Sequence, residues 1–167
     1  MLSEAVCKRL EALEDVSRLG KPANGLFRLM GRPELWMTAY SNIYANKGAI
    51  TRGATTSTMD GFSEERVANI IALLKEERYR MTPVRRTYIP KANGKTRPLG
   101  IPSGDDKLVQ EVVRMILEHI YEPIFSDWSH GFRPARSPHT ALEQIARTWT
   151  SVKWFVNVDI QGYYDNS

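Results

Sequence analysis

The sequence predicts an α+β fold, and three observations predict it. Apolar residues recur at three- and four-residue spacing over most of the chain. One Asn-Gly dipeptide sits between two extended segments, and strict alternation appears only near the carboxyl end. The resulting order is helices, hairpin, helices, strand.

Each element has its own signal. Residues 1–19 read as an amphipathic helix, stopped by Gly20, Lys21 and Pro22. A second helix opens near Pro33 and Glu34, with Trp36, Tyr40, Ile43 and Tyr44 forming one apolar stripe. Residues 46–61 (NKGAITRGATTSTMDG) are rich in glycine and threonine and read as a loop. Ser63 is a good N-cap, Glu64 and Glu65 suit the positive end of a helix dipole, and Val67, Ile70, Ile71 and Leu74 make the buried face.

Next, VRRTYIP and TRPLGIP flank Asn93-Gly94, a strong hairpin signal. Pro90, Pro98 and Pro102 donate no ladder hydrogen bond, so these strands belong at an edge. A long helix follows from about Ser103, buried through Leu108, Val109, Val112, Val113, Ile116 and Ile120 and ended by Pro123. Ser137-Pro138 opens another helix, expected to be buried through Ala141, Leu142, Ile145 and Trp149. Residues 153–160 alternate as a strand, with Trp154, Val156, Val158 and Ile160 on one face and Phe155, Asn157 and Asp159 on the other.

The bulk properties narrow the function. The 167 residues can bury a core of their own. No stretch approaches the roughly 18–20 apolar residues of a membrane span, so no membrane partner is expected. The single cysteine, Cys7, excludes an internal disulfide and a multi-cysteine zinc site, and fits a reducing compartment.

The net charge is only +4, but it is concentrated. Between positions 78 and 104 lie Arg78, Arg80, Arg85, Arg86, Lys91, Lys95 and Arg97, with no acidic residue before Asp105. Such a block attracts phosphate, either of a nucleic-acid backbone or of a nucleotide; its alternative is a solvated loop.

Asp159 falls near the carboxyl end of the predicted strand, opposite its apolar face. A carboxylate held there suits Mg²⁺-dependent phosphoryl transfer, whereas a lone aspartate at a strand end also serves as a turn or cap residue. Position alone leaves both open.

The words around Asp159 carry more. Val158-Asp159-Ile160-Gln161-Gly162-Tyr163-Tyr164-Asp165 resembles the first catalytic motif of group II intron reverse transcriptases. IPKANGKTRPLGIP, from Ile89, is similar to that family's finger hairpin. SHGFRPARSPHTAL, from Ser129, matches its SxGFRPxRSxHxAL block. Leu35-Trp36, Ala39-Tyr40 and Asn46-Lys47-Gly48-Ala49 resemble its amino-terminal extension. Four ordered blocks cover most of the chain.

The resemblance implies an architecture. Residues 1–62 would be a helical amino-terminal extension with an RNA-binding loop, and 63–152 the fingers, with an antiparallel β-hairpin packed with helices. Residues 153–167 would be the first palm strand with its catalytic motif, the chain being a fragment truncated before the rest of the palm.

The resemblance also implies roles. Asp159 matches the catalytic, metal-binding aspartate, with the Ile160 carbonyl as a further ligand in a two-Mg²⁺ site. Tyr163 or Tyr164 matches the aromatic that senses the sugar, and spacing leaves that choice open. Lys91 and Arg97 match residues that neutralise the triphosphate of the incoming dNTP. Arg85, Arg86 and Lys95 would touch template or lie in solvent. Phe132, Arg133 and Arg136, beside Gly131, would lie where template or nucleotide passes; the alternative is a structural turn with Arg133 satisfied internally. His139 reads as a structural histidine of a first helical turn.

Asp105 and Asp106 mimic a catalytic pair but open a helix, where acidic side chains suit the dipole. Asp165 reads as an N-cap. The loop after Ala49 departs from the family's TPGVDG, reading Thr51-Arg52-Gly53-Ala54-Thr55-Thr56 here.

The activity implied is RNA-directed DNA polymerisation, copying intron RNA into DNA during retrohoming and assisting splicing by binding that RNA. The isolated piece, holding one of the required carboxylates, is expected to be inactive. Partners would be RNA template or intron RNA, DNA primer and dNTP, with a second copy of the chain as a further candidate. The setting would be bacterial cytoplasm or an organelle. Alternatives are a maturase that splices without polymerising, and a domesticated or CRISPR-associated reverse transcriptase.

Overall fold

Six helices and one hairpin are set out along the chain of the computed structural model, which describes residues 2–46, 48, 50–92 and 94–160. The chain divides into two units, Met1–Ile124 and Phe125–Ser167. The first holds α1 (Glu4–Arg18), α2 (Leu26–Met30), α3 (Pro33–Tyr44), α4 (Glu64–Lys75), β1 (Arg85–Pro90), β2 (Thr96–Ile101) and α5 (Gly104–Tyr121). A 3₁₀ turn at Glu122–Ile124, containing Pro123, closes it.

Local chemistry starts α4 and α5 where the sequence predicts, and starts α1 at Glu4 rather than at the first residue. Ser3, Ser63 and Ser103 are extended, and each hydroxyl accepts an amide from the first turn of α1, α4 and α5, respectively. Acidic residues fill all three first turns, and α3 begins with Pro33. α2 has no counterpart among the predicted elements, because five residues are too few to show a helical period.

The core lies among α1, α3, α4 and α5. Leu13, Leu35, Trp36, Met59, Leu108 and Val112 are among its most deeply buried apolar members. Trp36 is fully buried, and its indole N–H donates to the Met30 carbonyl at 2.7 Å, tying α3 to the end of α2. Tyr40 stacks on Phe62 with centroids 4.0 Å apart, fixing the loop ahead of α4. Tyr44, at the end of the same stripe, is exposed. Ser17 donates to the Ile120 carbonyl, and His119 pairs with Glu14 at 2.7 Å, joining α1 to α5. Residues on both sides of position 62 therefore share one core.

β1 and β2 form the predicted hairpin, a two-stranded antiparallel sheet with Arg85 opposite Ile101 and Pro90 opposite Thr96. The hairpin is only lightly packed: Thr87, Ile89 and Ile101 are half-buried and none of its strand residues is fully buried. With prolines on both strands and no third strand among the described residues, burying it fully would strand backbone polar groups, so most of it faces solvent.

The second unit contains α6 (Pro138–Thr148). Its start is as predicted: the Ser137 hydroxyl accepts the Thr140 amide, and the Thr140 hydroxyl accepts the Ser137 amide. Two expectations fail in this unit. No residue of α6 is buried, and Leu142, Ile145 and Trp149 are exposed, Leu142 by 63 %. Residues 153–160 form no strand, and Trp154, Phe155, Val156 and Val158 are each about 80 % exposed or more. Both failures have one cause. Amphipathicity marks a face that can be buried, but burial needs a partner surface and a strand needs a hydrogen-bonding neighbour. Among the described residues neither segment has one.

Candidate nucleotide and nucleic-acid interface

The hairpin gathers Arg85, Arg86, Lys91, Lys95 and Arg97 on one small sheet. Opposed residues of a ladder share a face. Arg85, Thr87, Ile89, Arg97, Leu99 and Ile101 therefore lie on one face, and Arg86, Tyr88, Pro90, Thr96, Pro98 and Gly100 on the other. Thr87, Ile89 and Ile101 are half-buried, so the first face is partly covered and the second open.

At the tip the Lys91 amide donates to the Lys95 carbonyl at 2.6 Å, and the Gly94 amide to the Lys91 carbonyl at 3.0 Å. Lys91 and Lys95 thus flank a closed turn. Arg86, Lys91 and Arg97 are exposed, and among the described residues no carboxylate pairs with them. Arg85 differs: its Nε donates to the Arg52 carbonyl at 2.9 Å, pinning the loop that departs from the family pattern.

The root of the hairpin is built around Asp106. Tyr79 Oη donates to its Oδ1 at 2.8 Å. Its Oδ2 accepts the Thr82 amide at 3.1 Å, the Thr82 hydroxyl, and the Ser103 hydroxyl at 2.7 Å. Burial by itself would raise the carboxyl pKa, but the hydroxyls of Thr82, Ser103 and Tyr79 and the Thr82 amide outweigh it and hold Asp106 below the ordinary value. Burial, and then the Asp106 carboxylate, push the Tyr79 phenol up.

A depressed carboxyl pKa contributes stability that is complete above the unfolded value of about 3.9 and lost as pH falls through the folded one. The first unit is therefore expected to lose stability below about pH 4 more steeply than an Asp106→Asn variant does. Thermal melts from pH 6 to 3 measure this, and parallel slopes would remove Asp106 from the acid response.

The neighbouring Asp105 pairs with Arg66 at 2.6 Å, and Arg66 also donates to the Thr58 carbonyl and the Ser57 hydroxyl. Lys107 donates to the Thr51 carbonyl at 2.7 Å, and its burial lowers its pKa. Loop 50–60 is so close to the start of α5 that a Cβ on Gly53 would lie 2.7 Å from the Pro102 backbone. A Cβ on Gly104 would lie 2.6 Å from the Thr58 carbonyl oxygen. Asp105 and Asp106 are thus structural, as their place at a helix start implied. Tyr79 and Thr82 carry no local signal of this cluster; only the Ser-x-x-Asp spacing of Ser103 and Asp106 points to it.

In the second unit, Phe132, Arg133 and Arg136 share one turn. Arg133 Nη1 donates to the carbonyls of Ser126 and Ser129, each at 2.8 Å, and its guanidinium lies 5.2 Å from the Phe125 ring centroid. Arg136 donates to the Asp127 carbonyl at 2.6 Å and reaches its carboxylate at 3.4 Å. Both arginines organise the turn. Phe132 projects from it fully exposed, with φ of 56°. His130 bridges Thr140 and Gln144, holding the turn to α6, while His139 is exposed in its first turn.

Asp159 and Ile160 lie in the exposed segment after α6. Tyr163, Tyr164 and Asp165 fall outside the described residues. Among those described, no three His, Cys, Asp or Glu side chains converge where a cation could sit. One carboxylate and one carbonyl do not make a magnesium site by themselves. The predicted residues thus form a hairpin group in the first unit and a turn group in the second, with Asp159 apart from both in sequence.

The open basic hairpin is suited to phosphate, and the exposed segment after α6 carries one aspartate. Residues 89–166 match the family described as reverse transcriptase (RNA-dependent DNA polymerase). The chain is 56% identical over 142 residues to the group II intron-encoded protein LtrA of Lactococcus lactis subsp. cremoris, covering 84% of this chain and 24% of that protein. It is 44% identical over 133 residues to an uncharacterized 91 kDa protein in the cob intron of Schizosaccharomyces pombe, covering 80% of this chain and 16% of that one. It is 29% identical over 177 residues to nuclear intron maturase 2, mitochondrial, of Arabidopsis thaliana, covering 92% and 22%. The chain belongs to the group II intron-encoded reverse transcriptase family, and it spans about a quarter of the length of LtrA. No helix among the described residues is long and apolar enough to cross a membrane.

Proposed function

We propose that this chain is the nucleotide-closing and template-contacting region of an RNA-directed DNA polymerase that copies group II intron RNA into DNA for retrohoming and binds that RNA to assist splicing. The observation that carries this reading is an open hairpin bearing Arg86, Lys91 and Arg97 without carboxylate partners among the described residues, in a chain of this family. Positive charge left unneutralised on an exposed sheet is suited to phosphate, and a two-stranded hairpin can move as a unit.

In this reading Lys91 and Arg97 meet the triphosphate of the incoming dNTP. Arg86, on the open face with Tyr88, meets the RNA backbone, and Lys95 at the tip shares one of these roles. Arg85, occupied by the Arg52 carbonyl, contributes less. Phe132 offers a stacking face to a template base, while Arg133 and Arg136 hold the turn that presents it. Asp159, with the Ile160 carbonyl, is one ligand among several that a Mg²⁺ site requires; Tyr163 or Tyr164 senses the sugar. DNA primer and RNA template are the substrates of the intact protein.

The direct test is primer extension by the intact protein on an RNA template with dNTPs and Mg²⁺; failure to incorporate would overturn the polymerase reading. The basic face is tested on the 167-residue chain by RNA titration at several salt concentrations. Arg86→Ala should lower the slope of log K against log salt by about 0.7–0.9. Arg85→Ala should lower it by less. Equal slopes for all three proteins would remove the hairpin from RNA contact.

A further inference from the structure

We infer that Asp106 is a positioning residue that fixes both roots of the basic hairpin, and so sets where its cations are presented. The inference rests on connectivity. Tyr79 follows the end of α4 and Thr82 lies three residues before β1, while Ser103 lies two residues after β2 and caps α5. All three donate to the one carboxylate. The chain entering the hairpin and the chain leaving it are therefore held at a single buried point, 1 % exposed.

The chemistry demands an aspartate. Tyr79 Oη, the Thr82 amide, the Thr82 hydroxyl and the Ser103 hydroxyl converge as four donors. An ionised carboxylate only accepts and can take all of them, whereas an asparagine of the same shape would turn an NH₂ group toward some of them. The entry chain is further packed on the exit chain by Val84, whose Cγ2 would lie 2.8 Å from a Cβ on Gly100. No ladder residue beyond this root is buried, so core packing does not hold the strands in place. Beside the contact of Arg85 with the Arg52 carbonyl, the carboxylate is the polar link that holds both roots of the hairpin, and losing it should loosen the hairpin without melting the helices.

The effect on ligands rests on the phosphate-contacting reading of the hairpin, and the test separates the two. Site-resolved amide exchange on the 167-residue chain compares wild type with Asp106→Asn, Tyr79→Phe and Thr82→Val. The last two each delete one hydroxyl donor and keep the carboxylate, so they cover the case in which Asp106→Asn does not fold. Exchange of the β1–β2 ladder should quicken at least about tenfold, the loss of one charge-assisted hydrogen bond, while α1 and α3 amides stay within about twofold. A uniform rise across ladder and helices, or an unchanged ladder in both hydroxyl variants, would overturn the inference. The same proteins are then titrated with single-stranded RNA. Weaker binding that tracks ladder exchange supports the full chain of argument. Ladder loosening with unchanged RNA affinity leaves the clamp standing and overturns the hairpin's part in binding.

Discussion

Asp159→Asn in the intact protein is expected to abolish primer extension while leaving RNA affinity within about twofold, since RNA contact is dominated by cations elsewhere. The substitution keeps size and shape but replaces two anionic oxygens with one neutral amide oxygen, a poor exchange for a hard divalent cation. Stability offers no competing explanation within this chain. Asp159 is exposed, beyond the last helix and outside the core of the first unit. A primer-extension gel beside a filter-binding titration reads both quantities. Retained synthesis would show that Asp159 is a turn residue, the alternative its position in the sequence leaves open. Loss of RNA binding in parallel would point to disturbed folding instead.

Trp36→Ala is expected to be the most destabilising single change in the first unit, by about 3–5 kcal/mol. The side chain is the largest that is fully buried, and it sits in the core shared by α1, α3, α4 and α5. Its removal deletes that packing, leaves a cavity, and takes the indole donor from the Met30 carbonyl, N to O 2.7 Å. Trp36→Phe separates these contributions, because it retains most of the apolar volume and loses the hydrogen bond, worth about 1 kcal/mol. Urea unfolding followed by helical circular dichroism measures both, and a tryptophan-independent signal is needed here. A midpoint within about 0.5 M of wild type for Trp36→Ala would contradict the assigned core.

Stability matters to function because of how the hairpin is mounted. Its cations stand on strands that no core packing holds, and their common root is a carboxylate at the start of α5. Core damage at Trp36 should therefore loosen everything in the first unit, while damage at Asp106 should loosen the hairpin selectively. The two variants share a readout in amide exchange and differ in its distribution.

Much of this organisation is legible in the residues alone. Ser63, Ser103 and Ser137 mark helix starts because an N-cap acts within three residues. Asn93-Gly94 between two extended segments signals the hairpin, because such a dipeptide favours a tight reversal, and the flanking strands do pair. The spacing of Leu108, Val109, Val112 and Ile116 identifies the buried face of α5. The motifs around Ile89, Ser129 and Asp159 named the family. Other features depended on which surfaces meet, which no local pattern encodes. The apolar face of α6 and the alternation over residues 153–160 describe what could be buried, and among the described residues nothing covers them. Arg85 and Arg86 are adjacent and chemically alike, yet the ladder places them on opposite faces and gives Arg85 to a carbonyl thirty-three residues away. Arg133 and Arg136 turn inward onto their own loop. Asp106 looked like a helix-start residue and is that; only the fold brings Tyr79, Thr82 and Ser103 to the same carboxylate. Sequence by itself determined the local elements and the family, because their signals act over a few residues. Tertiary structure decided which charges are spent internally and which stay exposed, because donors and acceptors far apart in the chain meet only once it has folded.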